Sequence, residues 1–208
     1  MPLHYKPQYK YTMINYAVLS AGRSACTTLR RYIRASTGPQ AIVEHHAEPW
    51  IWTEMEPDPQ NTRVIVLTRE DVLAQTLSLY YIQMVKLDSH SKPGVTDPLI
   101  PFTVKYNGFH GLSFFILGVK EYLTGYTKWD RFKSINFFTY EQVIKDWTSV
   151  GSTLGFDNWQ HNDPSINAMG WGTIWNAVTN KEQVLEWAMA IKQRDPMYSF
   201  RPEVYTVD

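Results

Sequence analysis

Apolar positions fall along this chain in two rhythms. Short unbroken runs, residues 16–19 (Tyr16, Ala17, Val18, Leu19) and 64–67 (Val64, Ile65, Val66, Leu67), have the length of strands buried on both faces. The other rhythm follows the helical period. Leu29, Tyr32 and Ile33 show it first, then Leu73, Leu77, Tyr80, Met84 and Leu87, then Leu112, Phe115, Ile116, Val119 and Leu123. The reading is a strand at 16–19, a turn at Ser20-Ala21-Gly22, and a helix from Ser24 to about Ser36. A short strand at 41–45 follows Gly38-Pro39, turn residues 57–61 precede a strand at 63–68, and a long helix opens at Asp71. A further strand at 135–138 leads into a helix at Tyr140-Glu141, and Leu154-Gly155-Phe156 closes the next helical stretch. Thr179-Asn180-Lys181-Glu182 has the form of a capping box ahead of Val184, Leu185, Ala188 and Ile191. Strands alternating with helices predict an α/β fold whose mostly parallel central sheet is flanked by helices.

Two segments break the alternation. Residues 89–108 hold three prolines and two glycines, too long for an ordinary connection and so either a functional or a mobile loop. Between Asp157 and Gly172 the chain is polar and irregular, in a position to close over a ligand.

Composition narrows the classes. With 208 residues, 44% hydrophobic and 19% charged, the chain reads as a single globular domain over residues 1–208 with a sizeable core. A formal net charge of zero gives no overall basic footprint for nucleic acid, although a local basic pocket is allowed. Cys26 is the only cysteine, which excludes an intramolecular disulfide and a cysteine-rich metal site. No apolar run approaches the ~20 residues of a membrane span, and the first residues lack an apolar signal core, so a cytoplasmic protein is the expectation.

The chemistry concentrates in residues 16–33, YAVLSAGRSACTTLRRYI. A strand, a small-residue turn and a helix start make an anion cradle, because the first helical N–H groups are free and the dipole's positive end faces the turn. Ser24, Thr27 and Thr28 add hydroxyl donors, and Arg23 adds a fixed charge. A Walker A loop requires a second glycine and a lysine before Ser or Thr, yet no lysine lies between Lys10 and Lys86. Taken alone the segment is equally an ordinary βα turn. A second arginine-bearing turn changes that. Arg69 ends the strand at 63–68, and Ser78 lies nine residues later on a helix face shared with Asp71 and Gln75. Arg69 alone would be a surface ion-pair partner of Glu70 or Asp71, and Ser78 alone a solvated helix serine. Together, in this order and about 45 residues after the first turn, they read as a second anion contact.

This pair of motifs resembles the PAPS-dependent sulfotransferase family, closest in pattern to the bacterial trehalose sulfotransferase branch. Residues 23–28 are similar to its 5′-phosphosulfate loop, with Gly22 where a proline is usual, Ala25 where a glycine is, and Cys26 where a serine or threonine is. Arg69 and Ser78 stand where the family holds the 3′-phosphate, and Tyr140-Glu141-Gln142-Val143 stands where it shows Tyr-Glu-Asp-Leu. The resemblance spans roughly residues 16–156 in three blocks and implies a P-loop-like fold. It implies binding of 3′-phosphoadenosine 5′-phosphosulfate (PAPS) by Arg23, Ser24, Ala25, Cys26, Thr27, Thr28, Arg69 and Ser78, with Tyr140 near the adenine. The implied activity is transfer of a sulfuryl group to a hydroxyl of a small-molecule or carbohydrate acceptor, without a metal. Arg23 would neutralise charge on the leaving phosphate. Glu44, 21 residues after Arg23, stands where that branch has its base; other branches use histidine, which leaves His45 and His46 open. All three are otherwise plain strand-end residues. Trp50 and Trp52 are the tryptophans expected near an acceptor, while His110 and His161 read as structural. Other readings are a non-catalytic nucleotide- or anion-binding protein of the same fold and a nucleotide kinase, the latter opposed by the missing Walker lysine.

Overall fold

A computed structural model describes residues 15–37, 41–85, 100–156 and 171–207. Its centre is a four-stranded, wholly parallel sheet in the order β2-β1-β3-β4, built from β1 (Asn15–Leu19), β2 (Ile42–His46), β3 (Thr62–Thr68) and β4 (Ser134–Thr139). The α/β expectation therefore holds: helices cover both faces of a parallel sheet. The two central strands are the two apolar runs, as expected for strands covered on both sides.

Alternation along the strands sorts the core into two layers. Ala17 and Leu19 of β1 and Val64 and Val66 of β3 face one way. They pack under α3 (Val72–Tyr80), α4 (Tyr106–Gly125), α7 (Trp171–Ala177) and α8 (Lys181–Arg194). Tyr16, Val18, Val43, Ile65 and Leu67 face the other way, under α1 (Cys26–Thr37) and α6 (Trp147–Thr153). Two short helices complete the frame, α2 (Pro49–Glu54) and α5 (Tyr140–Lys145).

The connectivity decides where a ligand belongs. From β1 the chain crosses through α1 to β2 on one side. From β3 it passes through α3 and α4 to β4 on the other side. The carboxyl ends of β1 and β3 are thus neighbours at which the winding reverses, the place where open α/β sheets open a crevice for ligands.

Local differences from the sequence reading have physical causes. The first helix starts at Cys26 rather than Ser24, because Arg23 and Ala25 both adopt positive φ and cannot be helical. The long second helix stops at Tyr80 and continues as a π-turn, Tyr81–Val85, which rotates the following residues off the buried stripe and leaves Met84 54% exposed. Leu87 lies outside the described residues. The expected capping box at residues 179–182 does not form. Asn180 is the N-cap of α8, but its side chain accepts no bond from the helix's first N–H groups and within the helix donates only to the Gln183 side chain, at 3.1 Å. Its amide instead accepts from Val104 N–H at 2.9 Å and donates to Val104 C=O at 3.0 Å. A capping box does form at α5, where Thr139 Oγ1 accepts from Gln142 N–H and the Gln142 side chain accepts from Thr139 N–H. After α6, Gly155 at φ 78° lets the N–H groups of Gly155 and Phe156 close on the carbonyls of Ser152 and Gly151, both at 3.0 Å. No described helix is long and apolar enough to cross a membrane. Residues 89–99 and the irregular stretch 157–170 lie outside the described residues; the rest of the 89–108 segment is not all loop, since Phe102 bridges Val178 and α4 begins at Tyr106.

Candidate functional site

The turn after β1 is wound unusually for its sequence. Gly22, Arg23 and Ala25 have φ of 82°, 55° and 62°. Glycine takes such values freely, but for Arg23 and Ala25 each costs about 1–2 kcal/mol. Ser24, without a positive φ, stands between Arg23 and Ala25, and such alternation of hand along the backbone is the form that anion nests take. No described group accepts a hydrogen bond from the N–H groups of residues 23–28. What holds the turn lies beneath it. Gln75, 2% exposed on α3, donates from Nε2 to Gly22 C=O at 2.7 Å and to Ser24 Oγ at 3.1 Å. Ser24 Oγ itself donates to Gly22 C=O at 3.2 Å. The Ser24 hydroxyl is therefore a buried brace for the turn rather than a donor facing outward. Thr27 is exposed and Thr28 half-buried, while Ala25 is half-buried against the core layer under α1.

Arg23 reaches across to α3 and donates from Nε to Ser78 Oγ at 2.8 Å. Arg69 returns the contact, donating from Nη1 to the Arg23 carbonyl at 3.2 Å. Two motifs 46 residues apart in sequence thus share one site at the switch point. Burial pulls the Arg23 guanidinium below its ordinary range, opposed by the charge of Cys26 and reinforced by that of Arg69. Arginine stays protonated under such a shift. The Arg69 guanidinium lies over the Tyr140 ring, 4.2 Å from its centroid, with Glu141 Oε1 3.9 Å from Nε. Tyr140 accordingly sits beside Arg69.

The turn after β3 is braced from all sides. Asp71 caps α3, its Oδ1 accepting from Ala74 N–H at 2.8 Å and from Tyr205 Oη–H at 2.7 Å. Burial raises the Asp71 carboxyl above its usual range, and these two bonds and Arg69 offset part of that. Glu141 accepts from the N–H groups of Glu70 and Asp71 at 3.0 and 3.5 Å. Val72 N–H donates to Ser199 C=O at 2.8 Å, and Ser199 Oγ–H bonds to the Glu70 carbonyl. None of Gln75, Glu141, Ser199 and Tyr205 carried a role in the sequence reading. The polar stripe Asp71, Gln75, Ser78 on a buried helix was a usable signal for Gln75; the C-terminal braces left none.

At the end of β2 the pleat separates the candidate bases. Glu44 and His46 share the face of Ala17 and Leu19, with His46 Nε2 3.1 Å from Glu44 Oε2 and Glu44 53% exposed. His45 points to the other face, where its Nε2 lies 3.0 Å from Ser20 Oγ under the turn. Cys26 joins that cluster. Burial pushes its thiol up, but hydrogen bonding to His45, the charge of His45, a bond to Ser20 and the charge of Arg23 outweigh it and bring the thiol down to about 7. Trp52 is core, 4% exposed and stacked on Phe132 at 5.5 Å, so it offers no surface to a sugar. Trp50 is half-buried against Phe115 and Tyr122. His110 lies between Tyr106 and Phe114 on α4, and His161 is outside the described residues.

No family model, curated protein or solved structure matches this chain. The chemistry of the site therefore rests on its own groups. Among the described residues no cluster of three or more His, Cys, Asp or Glu side chains is placed to hold a metal. The arrangement offers free N–H donors and two arginines to an anionic ligand, with an exposed carboxylate, Glu44, midway along the neighbouring strand, level with Ala17.

Proposed function

We propose that the chain is a P-loop-like sulfotransferase that moves a sulfuryl group from 3′-phosphoadenosine 5′-phosphosulfate to a hydroxyl of a small-molecule or carbohydrate acceptor. One observation carries the reading. The two arginine-bearing βα turns meet at the switch point through the 2.8 Å Arg23–Ser78 bond and the 3.2 Å Arg69–Arg23 bond. A donor with a phosphate at each end of its ribose needs two anion contacts close together, and arginine suits both because it stays charged and forks to phosphate.

In this mechanism the N–H groups of residues 24–28 hold the 5′-phosphate, and Arg69 and Ser78 hold the 3′-phosphate. Arg23 turns from Ser78 toward the bridging oxygen and neutralises the charge that develops there as the S–O bond breaks. Glu44 accepts the acceptor's hydroxyl proton as the new S–O bond forms; its exposure keeps it reachable, and His46 orients it. His45 serves as a positioning residue, since its ring is committed to Ser20 on the opposite face. The lower charge of a sulfuryl group compared with a phosphoryl group is consistent with two arginines sufficing.

Calorimetric titration with adenosine 3′,5′-bisphosphate beside Mg-ATP, followed by a radiolabelled-sulfate transfer screen, tests the reading. Binding of the bisphosphate and labelled acceptor support it. Preference for Mg-ATP would indicate a kinase, and binding without transfer to any acceptor a non-catalytic binder. With an acceptor in hand, Glu44→Gln should cut turnover roughly 10²–10⁴-fold and leave donor affinity nearly unchanged.

A further inference from the structure

Side chains converge a second time at the amino ends of β3 and β4, away from the two arginine turns. Arg63 is the second residue of β3 and Arg69 follows its last, which separates them by roughly 20 Å along the strand. Arg63 pairs in register with Ser134, and Ile65 with Asn136, so these four side chains share the sheet face that α6 covers. A cavity of about 320 Å³ opens there. Arg63, Lys133, Ser134 and Asn136 line it, with Leu154 and Gly155 after α6. That volume lies at the low end of small-molecule sites, about 300–1,000 Å³.

Two cations meet no counter-charge in this cavity. None of its lining residues is acidic, and no described carboxylate pairs with Arg63 or Lys133. Arg63 Nε is enclosed and has no acceptor among the described residues, an uncommon state for a donor. The guanidinium is steadied instead by the Tyr16 ring, 5.8 Å from its centroid, and Tyr16 packs on Phe156 at 6.0 Å. With Nε enclosed, the group presents its two Nη nitrogens end-on, the edge that forks to two oxygens of a carboxylate or phosphate. Lys133, exposed just before β4, adds a second charge on a flexible stem. Ser134 and Asn136 contribute a hydroxyl and an amide, and Leu154 an apolar contact.

We propose that this cavity is a second ligand site, which takes a small organic anion with its carboxylate or phosphate on Arg63 and Lys133. Asn136 and Ser134 hold the polar part of the molecule's body, and Leu154 its apolar part. The site does not depend on the sulfotransferase reading. The sulfuryl donor belongs at the carboxyl ends of β1 and β3, whereas this cavity opens at the amino ends of β3 and β4.

The probes are phenyl phosphate and benzoate, with benzyl alcohol as the uncharged control, and the readout is two-dimensional NMR of the full chain. At least one anion should shift the Gly155 backbone N–H and the Asn136 side-chain amide saturably, and the tighter binder identifies the head group. Arg63→Gln should weaken that anion at least about tenfold, the loss of a charge-assisted hydrogen bond. Arg63→Lys, which keeps the charge without the fork, should recover only part of the loss. Lys133→Gln, at an exposed position, should weaken the anion about twofold to fivefold. Amide dispersion checks the fold of each variant, and Lys133→Gln carries the test if Arg63→Gln misfolds. No saturable shift at Gly155 and Asn136, equal affinity in wild type and the folded variants, or benzyl alcohol binding as well as the anions overturns the site. Shifts confined to residues 23–28 put the anion at the first turn and overturn it as well.

Discussion

The two βα turns at the switch point carry the same residue, an arginine, but are built in opposite ways. The turn after β1 is strained and open. Two non-glycine residues sit at positive φ, and no described group accepts from the N–H groups of residues 23–28. The turn after β3 is relaxed and closed. Glu141 takes the N–H groups of Glu70 and Asp71, Ser199 takes that of Val72, and Asp71 takes that of Ala74. If both turns hold an anion, as proposed, one motif type gives two kinds of contact. The first turn offers backbone, and its specificity lies in shape. The second has spent its backbone on internal bonds and offers only side chains, Arg69 and Ser78. Backbone strain in the first is stored where a ligand would repay it.

The comparison breaks most directly at Arg69. Arg69→Ala removes the second turn's cationic contact and should lose about 2–4 kcal/mol of affinity for adenosine 3′,5′-bisphosphate. The loss for adenosine 5′-phosphosulfate, which lacks a 3′-phosphate, should be much smaller. Calorimetry on both ligands checks this, and equal losses would mean that the turns do not divide the ligand.

The first turn is probed at Ala25. A β-branched side chain is poorly tolerated at φ 62°, so Ala25→Val should lower stability by about 1–2 kcal/mol and distort the nest. Ala25→Gly relieves the strain and should leave stability unchanged or raise it by up to about 1 kcal/mol. A denaturant series reads both. The same glycine at Asp71, where φ is −86° and the side chain caps the helix, should destabilise.

How much of this was legible in the sequence follows from the range of the forces involved. The strands of the sheet could be read because burial on both faces writes itself as an apolar run. Order and spacing could put Arg23 and Arg69 in the turns after two strands and Ser78 on the helix that follows the second, but that the two strands are neighbours comes from the fold. The strain at Arg23 and Ala25 could not be read, because only glycine advertises positive φ and these two residues do not. The π-turn after Tyr80 was hidden for a similar reason: Met84 keeps the helical period in sequence while the backbone leaves it. Ser199 and Tyr205 lie more than 120 residues from the turn they brace, and no local pattern encodes such a contact. Asn180 looked like part of a local capping box, but a tertiary partner, Val104, took its amide.

A smaller effect sharpens the contrast from the C-terminal side. Tyr205→Phe removes the hydroxyl that donates to Asp71 and should cost about 1 kcal/mol of stability. Hydrogen exchange should loosen the N–H groups of residues 70–74 and leave residues 23–28 untouched. Equal loosening of both turns would show that they are one unit.

The subtlest effect is a pH drift at Cys26. Its folded-state thiol titrates at about 7, below the roughly 8.5 of an unfolded chain. The stability this contributes is fully present above the unfolded value and is lost as pH falls through about 7. Wild-type stability relative to Cys26→Ser should therefore rise with pH across that window, and thiolate absorbance of the folded chain should show a midpoint near its lower end.

The central claim is that two differently built turns hold the two ends of one ligand. A crystal structure with adenosine 3′,5′-bisphosphate tests it most directly. The account predicts the 5′-phosphate seated on the N–H groups of residues 24–28 and the 3′-phosphate against Arg69 and Ser78, with Arg23 drawn off Ser78. A nucleotide bound away from the β1–β3 switch point, or with both phosphates clear of those N–H groups, would contradict it.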